Sequence, residues 1–437
     1  MRSLARRNNR GVSHEISNDF FDTETSPKKK TSSKMGKRSG LWKKRLEPSK
    51  ALVMVLVAAV FFTTMVLIDT SPYQKFQSTV GSFSSADTRV AYEINITKDA
   101  NFSDNCNVHM HTFEFKSGKV KWINGGFAYL SRGMSLHCML ARAAERLGPN
   151  FTASMRITTA DKDLNSSLCF GPAATEEQMK TSNITPLLFP DNTFESWPEV
   201  FDFSLPESVA KVRKAAEKNG LPGSQQWMNR KPQLLWRGYD YGKERNEMIN
   251  KSLTSPLLDI KPTKLNFNFS KNATEGGVRL APGNRVTREE HCQYRFLLHM
   301  NGEFNDRYSS AVKWKLLCGS LVFVPVKPLF VEWWNYQTWK PYIHYVPYKS
   351  SEDLLRKVNY YFDHLDDASK IAQQGMELAQ NAFNEVPNFI DSTLRRYHQL
   401  TGHLPRKPCA AKKIGGGDYE FKALKDLKEE YGPKVCA

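Results

Sequence analysis

From Ala51 to Ile68 the chain runs 18 residues without a charge, bounded by Lys50 and Asp69. At about 1.5 Å per residue, a helix of that length reaches roughly 27 Å, close to the hydrocarbon thickness of a bilayer. Val, Leu, Phe and Met fall on every face and leave no polar stripe, so the run is expected to be a membrane span (51–68) and not an amphipathic core helix. Residues 69–105 are rich in Ser, Thr, Asp and Asn with little periodicity, the composition of a stem. Beyond Cys106 the apolar positions become periodic. Leu136, Met139, Leu140, Ala143, Ala144 and Leu147 predict a helix over 134–147, stopped by Gly148-Pro149. Ala153 to Ile157 predicts a strand running into Asp161, 208–219 a helix ended by Gly220, and Leu234-Leu235-Trp236 a brief strand.

The most legible unit follows. Tyr294–Met300 predicts a strand, Ser309–Leu317 a helix and Ser320–Pro325 a strongly apolar second strand. Strand, helix, strand at this spacing is a βαβ crossover, which implies parallel strands covered by helices. Residues 351–383 predict one or two packed helices. The fold class is therefore α/β, with ligands collecting beyond the carboxyl ends of the strands. About 330 residues follow Cys106, enough for two domains facing a cleft.

Charge changes the picture mainly at the amino-terminal end. Residues 1–50 hold 14 Lys and Arg against 5 Asp and Glu, about half of the chain's net charge of +17. Such a flank stays cytosolic, which predicts a single-pass type II protein with its large domain in the lumen. Eight N-x-S/T sequons agree: Asn95, Asn101, Asn150, Asn165, Asn183, Asn250, Asn268 and Asn272, all beyond the span. The remaining basic excess accompanies no zinc-finger spacing, basic zipper or aromatic ribonucleoprotein motif, so nucleic acid is not an expected partner. All seven cysteines lie beyond the span, in what is expected to be an oxidising compartment, and none forms a CxxC pair. The carboxyl end, Lys434-Val435-Cys436-Ala437, is neither a lysine-aspartate-glutamate-leucine retrieval signal nor a prenylation box. A Golgi or endoplasmic reticulum membrane is the expected location.

Three blocks carry a family resemblance. The first runs from Gly125-Gly126 through Gly148 to Met155-Arg-Ile-Thr-Thr-Ala-Asp161. The second is Leu235-Trp-Arg-Gly238 with Glu244-Arg245. The third comprises His291-Cys-Gln-Tyr-Arg295, Asn301-Gly302, Lys313-Trp-Lys-Leu-Leu-Cys-Gly-Ser320, Glu332-Trp333 and Lys340-Pro-Tyr-Ile-His-Tyr-Val-Pro347. In this order and spacing, over about residues 120–400, the chain resembles the protein O-glucosyltransferase and capsule-associated (Rumi-like) glycosyltransferase family. The resemblance implies a GT-B-like fold of two Rossmann-like domains: 106–230 on the acceptor side, 231–400 for the nucleotide sugar, and 401–437 as an extension. It also implies transfer of a glucose- or xylose-type sugar from a UDP-sugar to a hydroxyl of a protein or polysaccharide acceptor. Transfer would invert the anomeric centre, with no cofactor and no metal.

The chemistry asks for a base to take the acceptor's proton and for cations or N–H donors to meet the departing diphosphate. Asp161 matches the family's catalytic base, with Asp163 as a rival; together, as Asp161-Lys-Asp163, they also have the form of a metal motif. Arg245, seven residues after Gly238, matches the diphosphate-contacting arginine, and its planar fork suits phosphate. Arg237 is equally placed to bind the nucleotide or to support its turn. Many relatives carry an arginine where this chain has Ala311; either Arg307, Lys313 or Lys315 supplies the missing charge, or nothing does. Another subgroup carries a Ser-rich stretch like Ser309-Ser310, which makes these serines diphosphate contacts or ordinary N-caps. Glu332 stands where GT-B enzymes often bind ribose hydroxyls. Relatives also carry cysteines matching Cys292 and Cys318. A helix returning to the start of its strand could bring the two within bonding distance, so a disulfide is expected.

Three function classes compete. A glycosyltransferase accounts for Asp161 and Arg245. A silent relative that binds glycans or a partner would account for Ala311. A hydrolase would need two carboxyl groups across the sugar, and only one is well placed.

Overall fold

The computed structural model describes residues 110–124, 130–159, 170–181, 187–195, 205–240, 242–264, 285–302, 307–401, 420–432 and 435–436. The basic tail, the apolar run 51–68, the stem, Gly125, Gly126, Asp161, Asp163 and all sequons except Asn150 and Asn250 lie outside them. Among the described residues no helix is long and apolar enough to cross a membrane.

The first sheet is mixed. Strands β1 (Met110–Lys116) and β2 (Lys119–Asn124) form a hairpin in which Phe113 faces Trp122 and Phe115 faces Val120. These four are buried, while Glu114, Lys116, Lys119 and Lys121 alternate with them. Ser117 and Gly118 both take positive φ (52° and 71°), the geometry of a type I′ turn, which suits the strands' right-handed twist. β3 (Ala153–Thr158) pairs antiparallel with β1, and β4 (Phe170–Gly171) runs parallel to β3. β5 (Ala174–Thr175) leaves the sheet, and β6 (Leu187–Leu188) closes it, in the order β2-β1-β3-β4-β6. Helix α1 (Leu130–Leu147) covers this sheet with the six apolar residues expected of it. It begins four residues earlier than its apolar period predicts. Cys138 and Ala141 form a second buried patch on α1, packed against the carboxyl-terminal segment and covalently tied to Cys436.

After α2 (Leu205–Lys218) comes a five-stranded parallel sheet, in the order β12-β10-β9-β7-β8. Its strands are β7 (Lys231–Tyr239), β8 (Leu258–Lys264), β9 (Tyr294–Leu298), β10 (Leu321–Pro325) and β12 (Val346–Tyr348). β11 (Phe330–Val331) instead pairs with β5, joining the two halves of the chain. Leu235, Leu297, Val322 and Val324 point into a core shared with the first sheet. Leu234, Trp236, Phe296, Leu298 and Phe323 point into a second core.

The expected βαβ unit is present, with α3 (Lys243–Ser252) joining β7 to β8 and α4 (Val312–Leu317) joining β9 to β10. α4 is shorter than the expected Ser309–Leu317, because Ser310 and Ala311 form a turn and no side chain caps the helix. Residues 351–383 resolve into two helices, α5 (Ser351–Asp363) and α6 (Leu365–Thr401). At 37 residues α6 spans about 55 Å and serves both cores, the second through Ile371 and Ala372 and the shared one through Ile390 and Leu394. A short α7 (Leu424–Tyr431) lies against α1.

Cys292, just before β9, is bonded to Cys318, just after α4, with Cα atoms 4.8 Å apart. Gly319 then turns at a φ of +64°, and its carbonyl accepts from Trp227 Nε1 at 2.7 Å. Arg230 donates to the carbonyls of Cys318 (3.0 Å) and Gly220 (2.6 Å) and to Ser320 Oγ (3.1 Å). The Cys-Gly-Ser block thus fixes the entry to β10.

Candidate active site

β7 is followed in sequence by β8 on one side and then by β9 on the other, so the strand order reverses beside β7. In open parallel sheets the crevice outside the carboxyl ends at such a reversal is where ligands bind. The second motif block builds that place. A Cβ on Gly238 would sit 2.5 Å from the Trp236 ring, so only glycine lets the indole fold back along the strand. The Arg245 guanidinium lies 5.5 Å above that ring. Its Nη1 donates to the Tyr239 carbonyl at 2.8 Å, and its Nη2 donates to the Asn301 carbonyl. Arg245 therefore ties the carboxyl end of β7 to the segment leaving β9.

Arg237 is placed differently. Its Nη2 donates to both carboxylate oxygens of Asp259 (2.8 and 2.9 Å) and its Nη1 to the Asp259 carbonyl (2.6 Å). Tyr294 Oη also donates to Asp259, at 2.9 Å. Burial pushes the Asp259 carboxyl up, but Arg237, Tyr294 and Lys261 outweigh it and hold it below the ordinary value. Arg237 thus fastens β7 to β8.

Lys313 has no solvent exposure. Its Nζ donates to Asp191 at 2.9 Å and to Glu332 at 3.3 Å, and it lies 4.6 Å from the Phe194 ring. Asp191 also accepts from Tyr308 Oη (2.6 Å) and from the Thr193 amide (2.9 Å) and hydroxyl (2.6 Å), capping the one-turn helix Asn192–Phe194. Two carboxylates share one ammonium. Burial pushes Glu332 up, with Asp191 adding to the shift and Lys313 opposing it. For Asp191, burial is outweighed by Lys313, Thr193 and Tyr308, so its carboxyl is held low. The cluster pins the segment after β6 to α4 and to the segment after β11.

In front of this cluster lies a small pocket lined by His299, Ser309, Val324, Phe330, Glu332 and Trp339 among others. His299 follows the end of β9. Burial, reinforced by Lys315, Arg245 and Lys313, holds its imidazole well below the usual histidine value, hence neutral. Lys315 donates to the Leu298 carbonyl at 2.6 Å, and burial, with Arg245 adding, lowers its ammonium to about 7.

Ser309 and Glu332 thus line one pocket, and Arg245 donates to the carbonyl of Asn301, another of its lining residues. The structure places Lys313 behind the pocket and Arg237 in an ion pair along the sheet. Ser310 lies in the turn before α4. Arg307 accepts the Gly302 amide at 2.6 Å through its carbonyl, and a Cβ on Gly302 would meet Tyr308 O at 2.7 Å, which accounts for the Asn-Gly pair. Asn150 and Asn250 are both exposed. Asp191, His299 and Trp339 were missed from sequence. His299, a polar residue ending an apolar strand, was the one of the three with a local signal. Among the described residues, no three His, Cys, Asp or Glu side chains converge where a metal could sit.

The profile of glycosyl transferase family 90 matches residues 178–421. An O-glucosyltransferase rumi homolog of Anopheles gambiae is 31% identical over 185 residues, 40% of this chain and 44% of that protein. Protein O-glucosyltransferase 1 of Homo sapiens is 25% identical over 240 residues, 51% of this chain and 56% of that protein. The chain spans about half the length of the curated relatives it matches. Among solved structures, Anabaena Alr3699/HepE in complex with UDP is similar at 10% identity and a TM-score of 0.34, over 61% of this chain and 77% of that one. The same protein with UDP-glucose is similar at 11% identity and a TM-score of 0.31, over 49% and 57%.

Proposed function

The chain belongs to glycosyl transferase family 90, and on that premise we propose that it is an inverting glycosyltransferase of the secretory pathway. It moves a glucose- or xylose-type sugar from a UDP-sugar to a hydroxyl of a protein or glycan acceptor. The observation that carries this reading is Arg245, held beside the carboxyl end of β7 and the segment leaving β9 by two backbone carbonyls and the Trp236 ring. A guanidinium held there meets the charge that gathers on a departing diphosphate. Asp161 takes the acceptor's proton as the hydroxyl oxygen bonds to the anomeric carbon. The bond from that carbon to the diphosphate breaks, and its electron pair leaves with the nucleotide. Arg307, Ser309 and Ser310 are the proposed helpers at the diphosphate, and Glu332 at a ring hydroxyl, without a metal. Arg237 and Lys313 support this site through the ion pairs that hold its walls. The GT-B-like division at about residue 230, the span over 51–68 and a luminal catalytic domain complete the proposal.

The decisive assay is UDP release by the purified domain, from about residue 90 onward, offered UDP-glucose and UDP-xylose in the presence of a chelator. Turnover with either supports the reading. Turnover abolished by chelator and restored by manganese would make Asp161 and Asp163 metal ligands instead. Ala311, in place of the arginine many relatives carry, favours the second reading, a silent glycan-binding relative. A folded domain that binds but never turns over any donor would establish that one.

A further inference from the structure

The segment that leaves β9 is held by side chains from three separate elements. The Leu298 carbonyl accepts from Lys315 Nζ on α4 at 2.6 Å, the His299 carbonyl from Tyr348 Oη on β12 at 3.2 Å, and the Asn301 carbonyl from Arg245 Nη2 on α3. Tyr348 differs from Lys315 in that it also reaches the element carrying Arg245. Its hydroxyl is hydrogen-bonded to the carboxyl group of Glu244, the residue before Arg245 in the first turn of α3. Burial, reinforced by Glu244, holds the Tyr348 phenol well above its ordinary value, so the hydroxyl keeps its proton. The ring has little freedom. It is 1% exposed and packs in the second core, and the Tyr348 carbonyl accepts from the Val326 amide at 3.0 Å. Phenylalanine would fill the same space. What the hydroxyl adds is a bridge between the start of α3 and the segment leaving β9. Arg245 spans the same gap to the Asn301 carbonyl, so the bridge sets the distance its guanidinium must cover.

We propose that Tyr348 is a positioning residue for binding of the nucleotide diphosphate: its hydroxyl, between Glu244 and the His299 carbonyl, holds Arg245 in the orientation that meets phosphate. The proposal rests on the donor reading above. Tyr348 itself stays buried, touches no nucleotide and acts through Arg245. A guanidinium grips phosphate oxygens in pairs along one plane, and such a contact needs its group held within about 0.5 Å. Arg245 already has the Tyr239 carbonyl and the Trp236 ring on the β7 side. Tyr348 supplies the matching restraint on the β9 side.

The test is titration calorimetry of the full chain with UDP, on wild type, Tyr348→Phe, Arg245→Ala and the double variant. Tyr348→Phe keeps the packing and removes the bridge, and is expected to weaken UDP binding about fivefold, the scale of one hydrogen bond. In the Arg245→Ala background the same substitution is expected to change nothing, because the group it acts through is gone. Wild-type affinity in a folded Tyr348→Phe overturns the proposal and leaves the donor reading standing. An equal loss in both backgrounds also overturns it, since a general loosening of the core would act without Arg245. A wild type that binds no uridine nucleotide removes both. Where Arg245→Ala binds too weakly to titrate, the Arg245 Nε–H resonance without nucleotide decides: no shift in Tyr348→Phe overturns the proposal. Should Tyr348→Phe fail to fold, Glu244→Ala removes the other end of the bridge, and wild-type UDP affinity in that variant overturns it as well.

Discussion

In the parallel sheet every residue of β9 and β10 is buried, and neighbouring strands pair along runs of three to six residues. In the mixed sheet β1 pairs with β2 and β3 over five and six residues, but β4 and β6 have two residues each, and a single Cα pair joins β3 to β4. The cysteines follow the same division. Cys292–Cys318 spans 26 residues inside one βαβ unit, whereas Cys138–Cys436 spans 298 and fastens the end of the chain onto α1. The parallel sheet is paired along its whole width, whereas the mixed sheet narrows to two-residue strands on one side and gains a hairpin, a covalent tie and the half of α6 that reaches it. A sheet that presents aligned carboxyl ends at a strand-order reversal is suited to hold a nucleotide rigidly. In the mixed sheet, β3 ends three residues before Asp161, the proposed base.

The largest stability effect tests that contrast directly. By the chain-entropy relation, replacing Cys138 and Cys436 with Ser should cost about 5–6 kcal/mol, and replacing Cys292 and Cys318 about 3.5 kcal/mol, less any native strain. Urea unfolding of the two double variants measures both; equal losses would mean that loop length does not set the difference. Next in size is the division of labour. Asp161→Asn should lower turnover about 10²–10⁴-fold with UDP affinity unchanged, whereas Arg245→Ala should weaken UDP binding itself about 10–100-fold. Calorimetry beside a UDP-release assay separates the two, and lost nucleotide affinity in Asp161→Asn would break the assignment of roles to the two sheets.

Lys313→Met should destabilise the domain by about 3–5 kcal/mol, because it leaves Asp191 and Glu332 buried without their cation. A change under 1 kcal/mol in urea unfolding would show that the cluster does not hold the two halves together. The smallest effect is in pH. Lys315 loses its proton near pH 7 in the folded chain but near 10.5 when unfolded. Between those values the unfolded state binds more protons, so this lysine makes stability rise with pH across the window, by at most about 1.4 kcal/mol per unit. Burial of its charge is opposed in full below that window. Urea midpoints at pH 7.5 and 9.5 should separate in wild type and converge in Lys315→Met. An undiminished separation in the variant would move the effect to another group.

The sequence by itself determined what short-range pattern can encode. The six apolar positions of α1 lie on one face because helical period and burial coincide, and β9, α4 and β10 show in a run of 32 residues for the same reason. Trp236, Gly238 and Arg245 were legible as a unit because all three act within ten residues. The β1–β2 hairpin was not, since its turn is Ser-Gly and carries a weaker signal than Asn-Gly or Asp-Gly. Nor was the role of Lys313 or Arg237. A basic residue near a motif looks the same whether it faces a phosphate or a carboxylate, and only folding brought Asp191, 122 residues away, to Lys313 and Asp259 to Arg237. Tertiary structure alone decided the Cys138–Cys436 bond, the joining of β5 to β11 and the enclosure of His299. Each depends on distances between segments far apart in the chain, and local periodicity carries no record of them.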